Sequence, residues 1–256
     1  MRGLQWFNAL SAGATPVEGL PASLKVADGV LGEQPVRFIA VVTDAQNRFP
    51  RARNGEVGLL EGWGLAKAVD DAIARGDKRP LIAIVDVPSQ AYGRREEALG
   101  IHQALAAAAE SYARARLAGH PVIALLVGKA MSGAFLAHGY QANRLIALRD
   151  PGVMVHAMGK ASAARVTLRS VEELEALAAS VPPMAYDIDS YASLGLLWET
   201  LSVSQIEQPT VQDVERVGDC LVSAIKDIET PDLSSRLGAT HRAASSHVRQ
   251  LLREQW

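Results

Sequence analysis

"PVIALLVGKAMSGAFLAHG", residues 121–139, decides the fold class. Residues 121–127 form a continuous apolar run, as in a strand covered on both faces. From Gly128 small residues crowd around one serine, and a helix then begins. A buried strand that opens into a helix belongs to a parallel sheet, where ligands lie at the carboxyl ends of strands. Three readings of Gly128–Ala134 stand side by side. Ser132 is a nucleophile, or bare backbone N–H groups hold a negative charge, or small residues let a helix pack tightly on the sheet.

The same pattern extends in both directions. "VRFIAVV" (36–42), "PLIAIVDV" (80–87), "RLIALRD" (144–150) and "VMVHAM" (153–158) read as strands. Leu59, Trp63, Ala66, Val69 and Ile73 recur at helical spacing and predict a helix ending near Gly76. Ile101, Leu105, Ala108, Tyr112 and Ala115 predict a second, closed by Gly119. Alternating strands and helices imply right-handed crossovers and a mostly parallel sheet. Pro88–Gly93, Gly128–Ala134 and His156–Lys160 then fall together at the carboxyl ends of strands. "RREE" (94–97) reads as a charged first helical turn, and 43–58 as a loop.

The flanks are less regular. About 1–35 is rich in Gly, Pro and Ala and reads as an irregular arm. From about 170 to 256 the chain is helical. Ser170 and Glu173 form a capping box, and Val214, Val217, Leu221, Ile225 and Ile228 mark one face of an amphipathic helix. Val248, Leu251 and Leu252 belong to a last helix, while "VPPMAYDIDSYASLGLL" (181–197) fits no element. We expect one domain spanning 1–256.

Composition narrows the function classes. The chain has 256 residues, 48% hydrophobic, with formal net charge −2, which gives no nucleic-acid footprint. No apolar run approaches the roughly 18–20 residues of a membrane span. The N-terminus is too weak for a signal peptide, so a soluble, cytoplasmic protein is expected. One cysteine, Cys220, excludes an internal disulfide and reads as core. The histidines at 102, 120, 138, 156, 241 and 247 lack zinc spacing, so no metal is expected.

Ser132 lies between Met131 and Gly133, which resembles the G-x-S-x-G elbow with Ala130 and Ala134 in the glycine positions. A hydrolase also needs a base and a group to orient it. His156 is the candidate base, with Asp86 or Asp150 behind it; His138 reads as a helix-face residue. In the backbone reading, the N–H groups of Gly133 and Ala134 face outward at a helix start and stabilise an anion. Ser132 then caps the helix or adds a donor. Lys129 and Lys160 read as solvated or as charge partners of a carboxylate or phosphate.

A family resemblance enters on three segments. "VDVPSQAYG" (85–93) is similar to the D-x-P-G-x-x-P-G loop of acyl-CoA carboxylase carboxyltransferases. "GKAMSGAFLAHG" (128–139) resembles their Gly-Gly-Ala loop, and "VMVHAMGKASAARV" (153–166) the segment after it, with matching spacing. The wording "DVPSQAYGRREE" resembles most the gamma subunits of biotin-independent malonate decarboxylases. The resemblance implies an α/β, crotonase-like (ClpP/crotonase) spiral of ββα units with flanking helices, rather than an open doubly wound sheet. It implies decarboxylation of a malonyl thioester to an acetyl thioester and CO2, in malonate breakdown. It implies no cofactor on this chain. The thioester rides on the phosphopantetheine-type arm, derived from dephospho-CoA, of an acyl carrier subunit, and a beta subunit is the partner. Carried over by position, Gly133 and Ala134 form an oxyanion hole assisted by Ser132. Pro88, Ser89, Gln90, Ala91, Tyr92, Gly93, His156 and Gly159 line the substrate. Ser89, Tyr92 and Ser132 depart from the carboxyltransferase pattern, which agrees with an enzyme without biotin. The alternatives are a carboxyltransferase subunit of a biotin-dependent acyl-CoA carboxylase or decarboxylase, and a serine hydrolase using Ser132.

Overall fold

Strand β5, Val122–Met131, is the axis of the computed structural model, which describes residues 1–237 and 239–256. β4 (Leu81–Val87) pairs with it in parallel on one side and β6 (Arg144–Leu148) on the other. All side chains of β5 but Lys129 are buried, as its apolar run requires. Beyond β4 lies β3 (Gln34–Val41), also parallel. β2 (Leu24–Leu31) and β1 (Thr15–Pro16) follow, antiparallel. β8 (Glu199–Leu201) closes the other edge beside β6.

At the carboxyl end of β5 the sheet branches. Residues Lys129–Met131 of β5 pair with β7 (Met154–His156), and Val57 forms a parallel bridge with Gln90. The β2–β3 hairpin followed by α2 (Leu59–Arg75) is a complete ββα unit. α4 (Ile101–Leu117) lies against α2. They approach closely because Gly62 has no side chain: a Cβ there would meet the carbonyl oxygen of Ala104 at 2.7 Å. α2 ends at Gly76 in the left-handed region, as its sequence predicts.

The segment 1–35 is not an irregular arm. It forms α1 (Arg2–Leu10) and the strands β1 and β2. Trp6 is fully buried, and its indole N–H donates to the carbonyl of Ile206 at 2.9 Å. Arg2 pairs with Asp150 at 2.8 Å, and the Gly3 N–H donates to Asp86 at 3.0 Å. Trp6, Phe7 and Leu10 share one helical face, a signal submerged in the Gly- and Pro-rich composition. Burying each large side chain contributes roughly 1.5–3 kcal/mol, so the segment is part of the core.

The flanking helices are α3 (Arg94–Ala98), α5 (Ser132–Ala137), α6 (Lys160–Thr167), α7 (Val171–Ala178), α8 (Ile188–Ser193), α9 (Val211–Lys226) and α10 (Ala243–Gln255). The capping box at Ser170 and Glu173 forms as expected. Among the described residues, no helix is long and apolar enough to cross a membrane.

One buried carboxylate supports the site from below. Glu61 is fully buried. Its oxygens accept from Ser23, from Asn47 at 2.8 Å and from the Gly58 N–H at 2.9 Å. Next along the chain, Val57 donates to the Ser89 carbonyl at 3.0 Å and accepts from the Ala91 N–H at 2.8 Å. The 88–93 loop thus rests on the start of α2. Glu61→Ala orphans three buried donors, at about 1–3 kcal/mol each. We expect a loss of about 3 kcal/mol or more in urea unfolding; a loss under about 1 kcal/mol would contradict this account.

Candidate functional site

The small residues of 128–134 serve four separate purposes. A Cβ at Gly128 would fall 2.1 Å from Oδ1 of Asp86, so glycine is needed where that carboxylate packs. Asp86 receives the N–H of Lys129 at 3.1 Å and that of Gly3, and so ties β4, β5 and α1 together. Ser132 has φ +59°, a left-handed conformation that is uncommon outside glycine and lets β5 turn sharply into α5. Gly133 leaves its N–H approachable. Ala134 is fully buried in the main core and packs α5 onto the sheet.

The Gly133 N–H is not open, as the sequence alone suggests. It donates to the side-chain oxygen of Gln90 at 3.0 Å, across the mouth of the elbow. The two residues are brought together by β4 and β5, whose carboxyl ends deliver both loops to one place. This bond also fixes which end of the Gln90 carboxamide is which, because an NH2 group there would face another donor. α5 has only six residues, so the macrodipole contributes little; individual N–H groups carry any anion stabilisation.

Beside the elbow lies a cavity of 450 Å³. Ser132, Gly133 and His156 line it together with Tyr140, Tyr191 and Leu196. Its lining is mainly apolar, a setting in which fixed donors are effective. Pro182, Pro183, Ala185 and Leu194 come from 181–197, the stretch that fits no element in sequence. The structure assigns it a short 3-10 turn and α8 and makes it the chamber wall.

His156 stacks on Tyr186, centroids 3.9 Å apart and planes 11° from parallel. Its Nδ1 lies 3.0 Å from the Met158 carbonyl, which also accepts from the Tyr186 hydroxyl at 2.8 Å. Burial lowers the His156 pKa, and the Met158 contact opposes that only in part, so the ring is neutral at pH 7. Nε2 makes no hydrogen bond to the described residues. Tyr186 and its stack carry no sequence signal; the bridge between Met154 and Asp187 brings them together.

The other expected site residues divide clearly. Ala91 is fully buried against Phe49, Ala52 and Ile101, so its side chain is packing rather than substrate lining. Tyr92 is half exposed, with the Arg51 guanidinium over its ring at 4.2 Å. Pro88 and Ser89 are half-buried, and Gly93 and Gly159 precede α3 and α6. None of these lines the 450 Å³ chamber. Lys160 pairs with Glu175 at 2.6 Å.

His138 is not a helix-face residue. It is fully buried just past α5. Its Nε2 lies 3.0 Å from the Ile84 carbonyl, which only accepts, so Nε2 carries the proton. Nδ1 then accepts from the Tyr112 hydroxyl at 3.0 Å. Burial pulls its pKa down to about 4 despite the Ile84 bond. The unfolded chain, near 6.5, therefore takes the proton first. Stability is full above about pH 6.5 and falls toward pH 4, by up to about 1.4 kcal/mol per pH unit. Urea unfolding at several pH values should show this slope, with His156 adding in the same direction. His138→Asn should flatten it; an unchanged slope would contradict the assignment.

A family model described as malonate decarboxylase gamma subunit matches residues 52–256. The chain belongs to that family. The gamma subunit is 33% identical over 230 residues to the malonyl-S-ACP:biotin-protein carboxyltransferase MADD of Malonomonas rubra, covering 86% of this chain and 75% of that protein. It is 72% identical, with TM-score 0.95, to a chain in a Pseudomonas malonate decarboxylase hetero-tetramer in complex with coenzyme A, covering 100% of this chain and 99% of the other. A Pseudomonas MdcD–MdcE hetero-dimer contains a chain 68% identical, TM-score 0.92, at the same coverage. Transcarboxylase 12S, at 19% identity and TM-score 0.62 over 85% of this chain and 38% of that one, shares the fold alone. The gamma subunit has the α/β, crotonase-like carboxyltransferase fold, and it is a decarboxylase subunit rather than a serine hydrolase.

Proposed function

We propose that this gamma subunit forms, with a beta subunit, a decarboxylase of a malonyl thioester carried on the phosphopantetheine-type arm of an acyl carrier protein. The solved relatives in hetero-dimers and hetero-tetramers, one with coenzyme A, support the partner and the thioester. So does the curated relative, whose name specifies malonyl-S-ACP. The observation that carries the site is the Gly133 N–H with a carbonyl-type oxygen 3.0 Å away. A thioester carbonyl has the same kind of oxygen.

In the reaction the bond between the carboxylate carbon and the α-carbon breaks. CO2 leaves, and the bonding pair passes into the thioester carbonyl as an enolate. The α-carbon then takes a proton, giving the acetyl thioester. The Gly133 N–H stabilises the enolate oxygen more than the neutral carbonyl, because a charge-assisted bond is roughly twice as strong as a neutral one. Once the beta subunit closes its open side, the apolar chamber keeps water from competing. His156 stands at the chamber wall, and its bare Nε2 takes up a proton from solvent and passes it to the α-carbon, which returns the ring to its neutral form. Ala134 supplies the second N–H of the elbow.

Ser132 has elbow geometry but no triad. His156 is held by Met158 rather than by a carboxylate. Asp86 is engaged by Gly3 and Lys129, and Asp150 by Arg2. Ser132 does not cap α5, whose N-cap is Met131 with no side-chain cap bond. We expect Ser132→Ala, in the complex with the beta subunit, to retain turnover within about tenfold, since only an auxiliary hydroxyl donor is lost. Mass spectrometry of the working enzyme should show no acyl-serine; trapping that adduct would overturn the assignment.

A further inference from the structure

Gln90 occupies the donor on which the proposed chemistry rests, and its chemical type is informative. The loop backbone around it is pinned at both sides, through Ser89 and Ala91, to the buried Val57. The side chain is therefore the part able to move. Its oxygen accepts from Gly133, while its NH2 group makes no hydrogen bond among the described residues. The carboxamide is thus held by a single contact. A Cβ placed on Gly133 would lie 3.4 Å from the same oxygen, so the Gln90 oxygen fills the space in front of this residue.

We infer that Gln90 is a displaceable internal acceptor that reserves the Gly133 N–H for the enolate. This rests on the reading of Gly133 as the enolate donor. A carboxamide oxygen is a neutral acceptor at least as good as a thioester oxygen. Neither the malonyl thioester before reaction nor the acetyl thioester after it gains by evicting Gln90. The enolate oxygen carries charge, and its stronger bond wins the exchange. Gln90 thus withholds the donor from both ground states and weakens their binding, while the step from bound thioester to enolate is nearly unchanged, since one neutral acceptor is given up at Gly133 with or without Gln90. When the α-carbon is protonated the charge is gone, and Gln90 returns to Gly133 as the product thioester lets go. Gln90 makes no bond to the reacting atoms in this scheme; it is a positioning residue that sets when the donor becomes free.

The test uses the assembled beta–gamma complex with malonyl and acetyl thioesters of acyl carrier protein. Gln90→Met keeps the length of the side chain and removes the acceptor. Both ground states then gain the Gly133 bond. We expect the KM for the malonyl thioester and the inhibition constant of the acetyl thioester to fall together, each by about 3- to 10-fold, the worth of one neutral hydrogen bond. We expect kcat to change less than about twofold. A rise in KM with a fall in kcat would make Gln90 a direct substrate ligand and overturn the inference. A lower melting temperature with both constants unchanged would make it a structural brace, and no change in any quantity would make the contact idle; either result overturns it too. Gly133→Val in the same assay separates the levels. If Gly133→Val turns over normally, the donor reading itself fails. If Gly133→Val is crippled while Gln90→Met shows no shared fall, only the inference about Gln90 fails.

Discussion

Gly133→Val should lower malonyl-thioester turnover of the assembled enzyme by about 10²–10³-fold, the usual consequence of losing one well-aimed oxyanion donor. Folding should suffer far less. Gly133 lies outside the left-handed region, so a side chain strains no backbone there. The nearest atoms to an added Cβ are the Gln90 oxygen at 3.4 Å and Leu105 Cδ1 at 3.7 Å, which is ordinary contact. The two methyl groups of valine would extend past that Cβ into the space where an acceptor must sit. The neighbouring Ala134→Val would be a poorer probe. Ala134 is fully buried in the main core, and overpacking it costs about 1–3 kcal/mol before any chemistry is considered. Melting temperature and turnover on one preparation discriminate the cases. A Gly133→Val enzyme that melts many degrees lower yet turns over normally would make Gly133 a packing residue.

The contrast between these two positions shows where sequence reading is strong and where it stops. Both are small residues after a buried strand, and pattern alone gives them one role. Local periodicity fixes β4, β5, α2 and α4, because their apolar spacing and glycine caps act within a few residues. It also delivers the 88–93 loop and the Ser132 elbow to the same sheet end. What it cannot supply is pairing across long separations. The Gln90–Gly133 bond joins residues 43 apart, and it changes an expected open donor into an occupied one. Glu61 carries no sequence signal of its role, which appears only where Ser23, Asn47 and Gly58 converge on it. Trp6 reads as part of a loose arm until the Ile206 carbonyl appears opposite its indole. The chamber wall from 181–197 has neither period, since a turn and a six-residue helix are too short to display one. The resemblance to carboxyltransferases points to both loops, and the structure then separates Ala91, which packs inward, from Gln90, which faces Gly133.

Turnover should also require the partner, by a factor of about 10³ or more over this chain alone. The elbow's Gly133 donor is already engaged by Gln90, and the chamber beside it has an open side. Water entering there competes for the enolate oxygen and weakens each fixed donor. Two elements at the elbow and after it carry apolar side chains left exposed by the described residues: Leu136 on α5 at 52% exposure, and Leu168 after α6 at 93%. Val166 and Leu99 are exposed nearby in the chain, at the ends of α6 and α3. Single exposed leucines are ordinary, but Leu136 lines the chamber itself, and we expect it and the exposed Leu168 to belong to a permanent interface. Interfaces of that kind bury about 2,000 Å² or more. A beta subunit seated there would dry the chamber and supply the opposing wall. The measurement is malonyl-thioester decarboxylation by this chain, by the beta subunit and by the two mixed, with size-exclusion of each sample. We expect the mixture to elute as one species and to hold essentially all the activity. Leu168→Glu should break that species into its parts, and turnover should fall with the fraction dissociated. If the chain alone turns over malonyl thioester at the rate of the mixture, the site is complete in one subunit. The exposed leucines would then have no part in catalysis.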